Sequence, residues 1–332
     1  MSDDTKQMMK MLDQHLSVQE YSGRTVLQVA LFATVYFAEP YRRQVREAVA
    51  ACCEDYFQRC GQHLRWALNP DTDLMEPFGT GKASKPRTWV PLLGEDEVCS
   101  IIYHGAEHER GASAFMLESL GTERRPYEKL GFLRVFFPLL WFAENGGSLP
   151  EVLLEICRKL KPVSGYSGIG VAESPDTSVS CKYEPLVYQW TQRFPGLEAD
   201  YPCFHGNYMR DISRPDDWVG RRHGIKGANW LTVLGDRYLA ELGGVEKVSA
   251  DLAAMDSRFV VHRYEGGALI QAGPYPVLGD VQRDLWPELV VKLSKYLKPI
   301  RITTHRSFHY ANPGVRFNKL TSEAWLRRFD DR

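Results

Sequence analysis

The sequence predicts an α+β fold of two halves, with mixed or antiparallel sheets flanked by amphipathic helices. Three observations point there. Several runs rich in β-branched and aromatic residues have the length of buried strands, beginning with TVLQVALFATVYFA from Thr25 to Ala38. Two amphipathic helices, PEVLLEICRKLKP and PELVVKLSKYLKP, stand at a constant offset of 137 residues: Pro150, Glu151, Leu160, Lys161 and Pro162 answer Pro287, Glu288, Leu297, Lys298 and Pro299. The strand-like GFLRVFFP and ALIQAGPY precede them at the same offset. Each half therefore reads as a strand, a loop, a helix stopped by Lys-Pro and a further strand. Helices that begin Pro-Glu and end Lys-Pro are common for capping reasons, so it is the strand context that suggests related halves.

Along the chain, residues 1–24 read as a polar N-terminal tail and 25–172 as the first half. Pro40 opens a helix through EPYRRQVREAVAACCEDYFQRCG, in which Val45, Val49, Cys52, Cys53, Tyr56, Phe57 and Cys60 recur at helical spacing. The cysteines thus lie on the apolar stripe as buried thiols. Asn69 to Trp89, dense in Pro, Gly, Asp and Thr, reads as a long loop. EVCSIIYHG and GASAFMLES form a hairpin, and GFLRVFFPL adds a third strand. Ser148-Leu149-Pro150-Glu151 is a capping box that launches the first of the paired helices. Residues 173–226 form an insert rich in loops, aromatic residues and charges of both signs. Linkers are rarely so aromatic, so the insert is expected to dock on the body as packing or as part of a binding surface. Residues 227–332 make the second half, and the whole reads as one domain.

Composition narrows the function. The 332 residues are 44% hydrophobic and 25% charged, which excludes a disordered chain. A net charge of −1, from 41 basic and 42 acidic side chains, supplies no long-range positive field, so no direct nucleic-acid partner is expected. The N-terminus MSDDTKQMMKMLDQ carries acids where a secretory signal carries Lys and Arg. The longest apolar run, Val26 to Ala38, is broken by Gln28 and Thr34 and falls short of the ~20 residues of a membrane span. A cytoplasmic protein without membrane contact is the expectation. Seven cysteines, an odd count with no C-x2-4-C pair, argue against both a disulfide framework and a zinc site.

Motifs that would carry chemistry fail on their context. His104-Gly105-Ala106-Glu107-His108 matches the H-x-x-E-H pattern of zinc peptidases, which needs a helix to hold both histidines on one face. Here it follows a strand, contains Gly105 and ends in Arg110-Gly111, so a hairpin turn is the better reading and no metal or cofactor is expected. His305 and His309 share a spacing of four in ITTHRSFHY and read as surface or structural histidines. Gly79-Thr80-Gly81-Lys82 lacks the other residues of a phosphate loop, and Gly168-Ile169-Gly170 reads as a strand end with close backbone approach. Most tryptophans, Trp141 and Trp230 first, read as core. Trp218, in the turn-like Pro215-Asp216-Asp217-Trp218, is the exception and reads as an exposed anchor.

One block remains: GANWLTVLGDRYLAELGG from Gly227 to Gly244, then GGALIQAGPYPVLGDV and a helix ending YLKPIR, preceded by RFPGLEADYP. In this block the chain resembles the type VI secretion immunity family (TsiV/TsiT-like), firmest from Arg193 to Arg301. The resemblance implies a cytoplasmic, non-catalytic protein that binds and occludes a cognate antibacterial toxin, a nuclease by analogy with relatives that guard against nuclease-type effectors. Asp216, Asp217, Trp218, Arg221 and Arg222 are the candidate partner-binding residues, because acids around an aromatic anchor answer a basic nuclease groove. Glu95-Asp96-Glu97 is a second acidic candidate that also reads as a plain turn. Two other readings stand beside this one: a zinc-dependent hydrolase using His104, Glu107 and His108, and a scaffold without a toxin partner.

Overall fold

The computed structural model describes residues 3–124, 130–199, 201–205, 224–303, 305 and 316–332. The chain opens with a helix, α1 (Asp3–His15), where the sequence suggests a polar tail. Met9 is buried on it and Leu12 packs beside it, so sparse apolar residues at helical spacing suffice to seat an otherwise polar helix. β1 (Ser17–Gln19) pairs antiparallel with β2 (Thr25–Phe37). β2 is buried almost throughout and shows no polar alternation, because both of its faces are covered.

The chain turns at Glu39, in the left-handed region at φ 52°, and α2 (Arg43–Cys60) begins three residues beyond Pro40 and not at it. Of the predicted stripe, Val49, Cys52, Cys53, Tyr56 and Cys60 are buried, and Val45 and Phe57 are half-buried. Burial pushes the Cys52 and Cys60 thiols up to about 12, as inert core thiols require. Arg46 lies on the same side, its guanidinium donating to the carbonyls of Leu93, Gly94 and Glu97 at 2.5, 2.7 and 2.6 Å.

β3 (Trp66–Leu68) precedes the predicted loop, and a short strand the sequence did not suggest, β4 (Met75–Pro77), lies within it. The hairpin β5 (Cys99–His104) with β6 (Met116–Gly121) follows, then β7 (Gly131–Phe137). After α3 (Trp141–Asn145) comes α4 (Leu149–Leu160), whose N-cap Ser148 accepts from Glu151 N at 3.4 Å, one arm of the predicted capping box. β8 (Ser164–Glu173) leads into the insert, which holds α5 (Thr177–Ser180), α6 (Glu184–Arg193), β9 (Leu197–Glu198) and α7 (Pro202–His205). The remainder holds β10 (Leu231–Gly235), α8 (Asp236–Glu241), α9 (Val245–Met255), β11 (Phe259–Tyr264), β12 (Gly267–Ala272), α10 (Glu288–Tyr296) and α11 (Lys319–Leu326). The glycine-punctuated block therefore encodes β10, α8 and a turn in which Gly243 and Gly244, at φ 97° and 95°, reverse the chain into α9.

All the described strands join one sheet, in the order β11-β12-β10-β8-β2-β7-β6-β5-β3-β4, with β1 beside β2 and β9 beside β8. Every pairing of these strands is antiparallel except β8 with β9. The strand pattern is thus a single antiparallel-dominated sheet and not two separate ones. α2 and α4 pack on one face of β2, β7 and their neighbours, where Tyr56 meets Phe137 and Phe57 meets Tyr103. α8, α9 and α10 pack on the other face, around Leu234, Phe259, Ala268 and Ile270. The paired helices also end differently. α4 stops with Lys161 in the left-handed region and continues into β8, whereas α10 has no side-chain N-cap and runs into a tight turn. The strand predicted after it is reduced to one bridge, Arg301 with Ile225. Among the described residues no helix is long and apolar enough to cross a membrane.

Candidate partner interface

The insert is docked on the sheet, and its anchor is polar. β9 pairs in parallel with β8, Ile169 beside Leu197 and Gly170 beside Glu198. Glycine is needed there: a Cβ on Gly170 would meet the Phe32 ring at 2.7 Å, and one on Gly168 would meet Asn229 Oδ1 at 2.3 Å. Gly168-Ile169-Gly170 is therefore a place of close approach, as predicted, but in the middle of a strand and not at its end. The buried Glu198 carboxylate accepts from the Lys226 ammonium and from Asn229 Nδ2 at 2.9 Å. Lys226 also donates to the Ala199 carbonyl at 3.1 Å and lies 4.9 Å from the Tyr166 ring centroid and 5.1 Å from that of Trp325. Such a pair survives burial only because each partner is hydrogen-bonded further.

Two segments take root beside this network. The rings of His205 and His305 are buried and meet at 3.0 Å, Nδ1 to Nε2. Burial, reinforced by the Lys226 charge, holds His305 down at about 3, so it is neutral at physiological pH. Residues 206–223 leave the described chain from His205 and rejoin it at Gly224, next to the Ile225–Arg301 bridge. Residues 306–315 leave from His305. Asp216, Asp217, Trp218, Arg221 and Arg222 fall within 206–223 and lie outside the described residues, as does His309. His305, read as a surface or structural histidine, is structural.

Beside the anchor the insert walls a cavity of about 180 Å³ on the sheet face opposite α2. Its floor is Ile102, Glu118, Leu120, Phe132 and Arg134, and its far wall is Glu173, Tyr201 and Cys203. Arg134 clamps Glu118 through two nitrogens, Nε at 2.9 Å, and its guanidinium stands 5.0 Å from the Phe136 ring centroid. The acidic turn stands at one end of this face. Asp96 is exposed, Glu95 pairs with Arg124 at 3.0 Å, and Glu97 accepts from Gly94 N at 2.6 Å. At the other side of the insert Glu184 opens α6 with its carboxyl buried and neither oxygen hydrogen-bonded. Burial pushes it up to about 7, with Arg316 opposing.

None of the catalytic patterns assembles. His104 ends β5 fully buried, with Nε2 3.0 Å from the Glu109 carbonyl and Nδ1 accepting from Ala106 N at 3.3 Å. Nε2 therefore carries the proton and donates, and burial holds the ring down at about 4. Glu107 and His108 lie beyond it in an exposed turn that lines a separate cavity of about 480 Å³ with Asp13 and Arg24. The pattern is a turn and not a helix, and among the described residues no group of His, Cys, Asp and Glu is arranged to hold a metal. Lys82 of the glycine-rich loop is tied to Asp71 at 2.7 Å. Trp230 is core, its Nε1 donating to the Gly273 carbonyl at 2.9 Å, while Trp141 is half-buried edge-on to Phe115.

Sequence reading missed Glu198, Lys226, Glu184 and the Glu118–Arg134 clamp. The clamp left a trace: one charge in each of two otherwise apolar strands, MLESLG and GFLRVFF. The other three carry no local signal, since their burial comes from distant segments.

The fold has known counterparts. The structure resembles the Pseudomonas aeruginosa T6SS protein PA0821 with a TM-score of 0.83 at 24% identity, covering 99% of this chain and 91% of that one. No curated protein matches the sequence. A family model described as TsiV, type VI immunity for VRR-NUC, matches residues 48–329, from inside α2 to the last buried phenylalanine. That span takes in the sheet from β3 onward, the insert, the second core cluster and the part of the first that lies beyond β2, and the chain belongs to this TsiV family of type VI immunity proteins for VRR-NUC.

Proposed function

We propose that the protein neutralises a VRR-NUC nuclease effector in the cytoplasm by binding it directly and filling its cleft, with nothing turned over. The observation that carries this is the family match over residues 48–329, joined to a structure whose catalytic-looking residues point apart. Occlusion at this scale takes about 800 Å² per partner and a few buried anchors. Asp216, Asp217, Trp218, Arg221 and Arg222 are proposed as anchors. Their segment lies outside the described residues and joins His205 to Gly224, both beside buried polar contacts.

The architecture behind this surface is proposed to derive from two related halves. What supports it is the strand order around β8, with β2, β7 and β6 on one side and β10, β12 and β11 on the other, each set followed by one of the paired helices.

The test is co-expression with the nuclease in a sensitive host, with pull-down in parallel. Protection with a stable complex is expected. Trp218→Ala combined with Asp216→Lys and Asp217→Lys should weaken that complex by about 2–4 kcal/mol. Survival without any complex would refute occlusion.

A further inference from the structure

We propose that the open sheet face over β5 and β6, with the acidic turn at its end, docks the basic, nucleic-acid-facing surface of the nuclease. The proposal rests on the reading that this chain binds its toxin, and it names a second surface outside the 206–223 segment. Side chains alternate across a strand, so Ser100 and Ile102 share one face of β5, with Glu118 and Leu120 beside them on β6, and Val98 stands just before that strand. Val98 is 51% exposed, and Ser100, Ile102, Glu118 and Leu120 are half-buried. On the opposite face the same strands are sealed by α2. Among the described residues, this open face has α7 against β7 at its side and no helix over Val98 and Ser100.

Charge decides the occupant. Glu95, Asp96 and Glu97 are exposed in succession; among the described residues Arg124 pairs with Glu95 and the Arg46 guanidinium donates to the Gly94 and Glu97 carbonyls. Within the cavity Arg134 pairs with Glu118. An apolar centre with an acidic rim fits a partner whose own surface is basic, and a protein that grips a polyanion must present Lys and Arg around its cleft. The rival groove lies between α6 and α11, about 410 Å³ lined by Tyr188, Val281, Trp286, Leu320 and Trp325. Arg328 lines it and Arg332 stacks over Trp286, so its rim has the wrong sign for such a partner.

The experiment measures binding of the full chain to a catalytically inactive form of the nuclease. Asp96→Lys with Val98→Lys should raise Kd by about 30-fold or more, while Leu320→Lys with Val281→Lys leaves it unchanged. Unfolding midpoints of both variants are measured alongside. Should the first pair of substitutions unfold the chain, Asp96→Lys alone is the variant. It should slow association several-fold at low ionic strength and flatten the salt dependence of the association rate. Wild-type affinity in the sheet-face variant, or loss of binding confined to the α6–α11 variant, would overturn the proposal. Absence of any complex with the unaltered chain would instead bring down the binding reading itself, and this surface with it.

Discussion

Glu184 and Glu198 are both buried carboxylates, and they differ in what compensates them. Glu198 has the Lys226 ammonium and the Asn229 amide, whereas Glu184 has no hydrogen bond to either oxygen. The consequences are opposite. Removing the Lys226 charge by Lys226→Met should strand Glu198 and cost about 3–5 kcal/mol in urea unfolding, and adding Glu198→Leu should recover much of that loss. For Glu184 the folded-state value of about 7 stands above the ordinary 4.5, so the folded chain holds the proton more tightly than the unfolded one. The stability this confers is complete below pH 4.5 and is lost as pH rises through 7. Glu184→Gln should therefore be more stable than wild type at pH 8 and gain nothing at pH 4, a contrast that thermal unfolding at the two pH values reads directly. At this scale the sequence was legible where chemistry is local. Gly105 and the Arg110-Gly111 pair marked His104 to His108 as a turn, and helical spacing marked the cysteines as core. It was silent on Glu184, Glu198 and Lys226, because the pairing of Glu198 with Lys226 spans 28 residues and no periodicity announces a buried charge.

Among the elements, those with strong local signals stand where the sequence puts them: β2, the cysteine-bearing helix, the β5–β6 hairpin, β7 and α4. Boundaries moved where sterics overrode composition, as at Pro40, which sits in the turn before α2 because Glu39 takes the left-handed conformation. α1 was missed because its few apolar residues, Met9 and Leu12, are diluted among charges, and the insert's short helices were hidden among turn residues. Among the described residues the strand expected after α10 is reduced to the Arg301–Ile225 bridge. Lys298-Pro299 forms a tight turn there; beyond it Ile302 N donates to the Ile225 carbonyl at 2.9 Å while the Arg301 side chain binds Asp330, at 2.8 and 2.7 Å. The caps give a direct test of how unlike the paired helices are. Ser148→Ala removes the side-chain acceptor of α4 and should lower stability by about 1 kcal/mol, measured by chemical denaturation. At Pro287, where α10 has no side-chain cap to lose, Pro287→Ala should cost less than that.

For the whole molecule, the defining feature is that β8 receives β2 on one side and β10 on the other, making one sheet of what reads as two halves. That junction joins residues far apart in sequence, and long-range register leaves no mark in a single strand's pattern. The family-like block was legible as kinship, and its physical content is now plain: β10 between the two cores, with Leu231 and Val233 in the first and Leu234 in the second, Trp230 tied to Gly273, and a double-glycine turn. The two proposed binding surfaces, the insert and the acidic end of β5 and β6, both lie on the sheet face opposite α2. The claim that matters most is inhibition by stoichiometric occlusion, and titration of nuclease activity with the purified chain tests it most directly. Activity should fall linearly to a breakpoint at one chain per nuclease, hold constant with time below that ratio, and leave the mass of the nuclease unchanged. Progressive loss of activity at substoichiometric amounts, or a covalent change in the nuclease, would contradict occlusion and mark the chain as a catalyst.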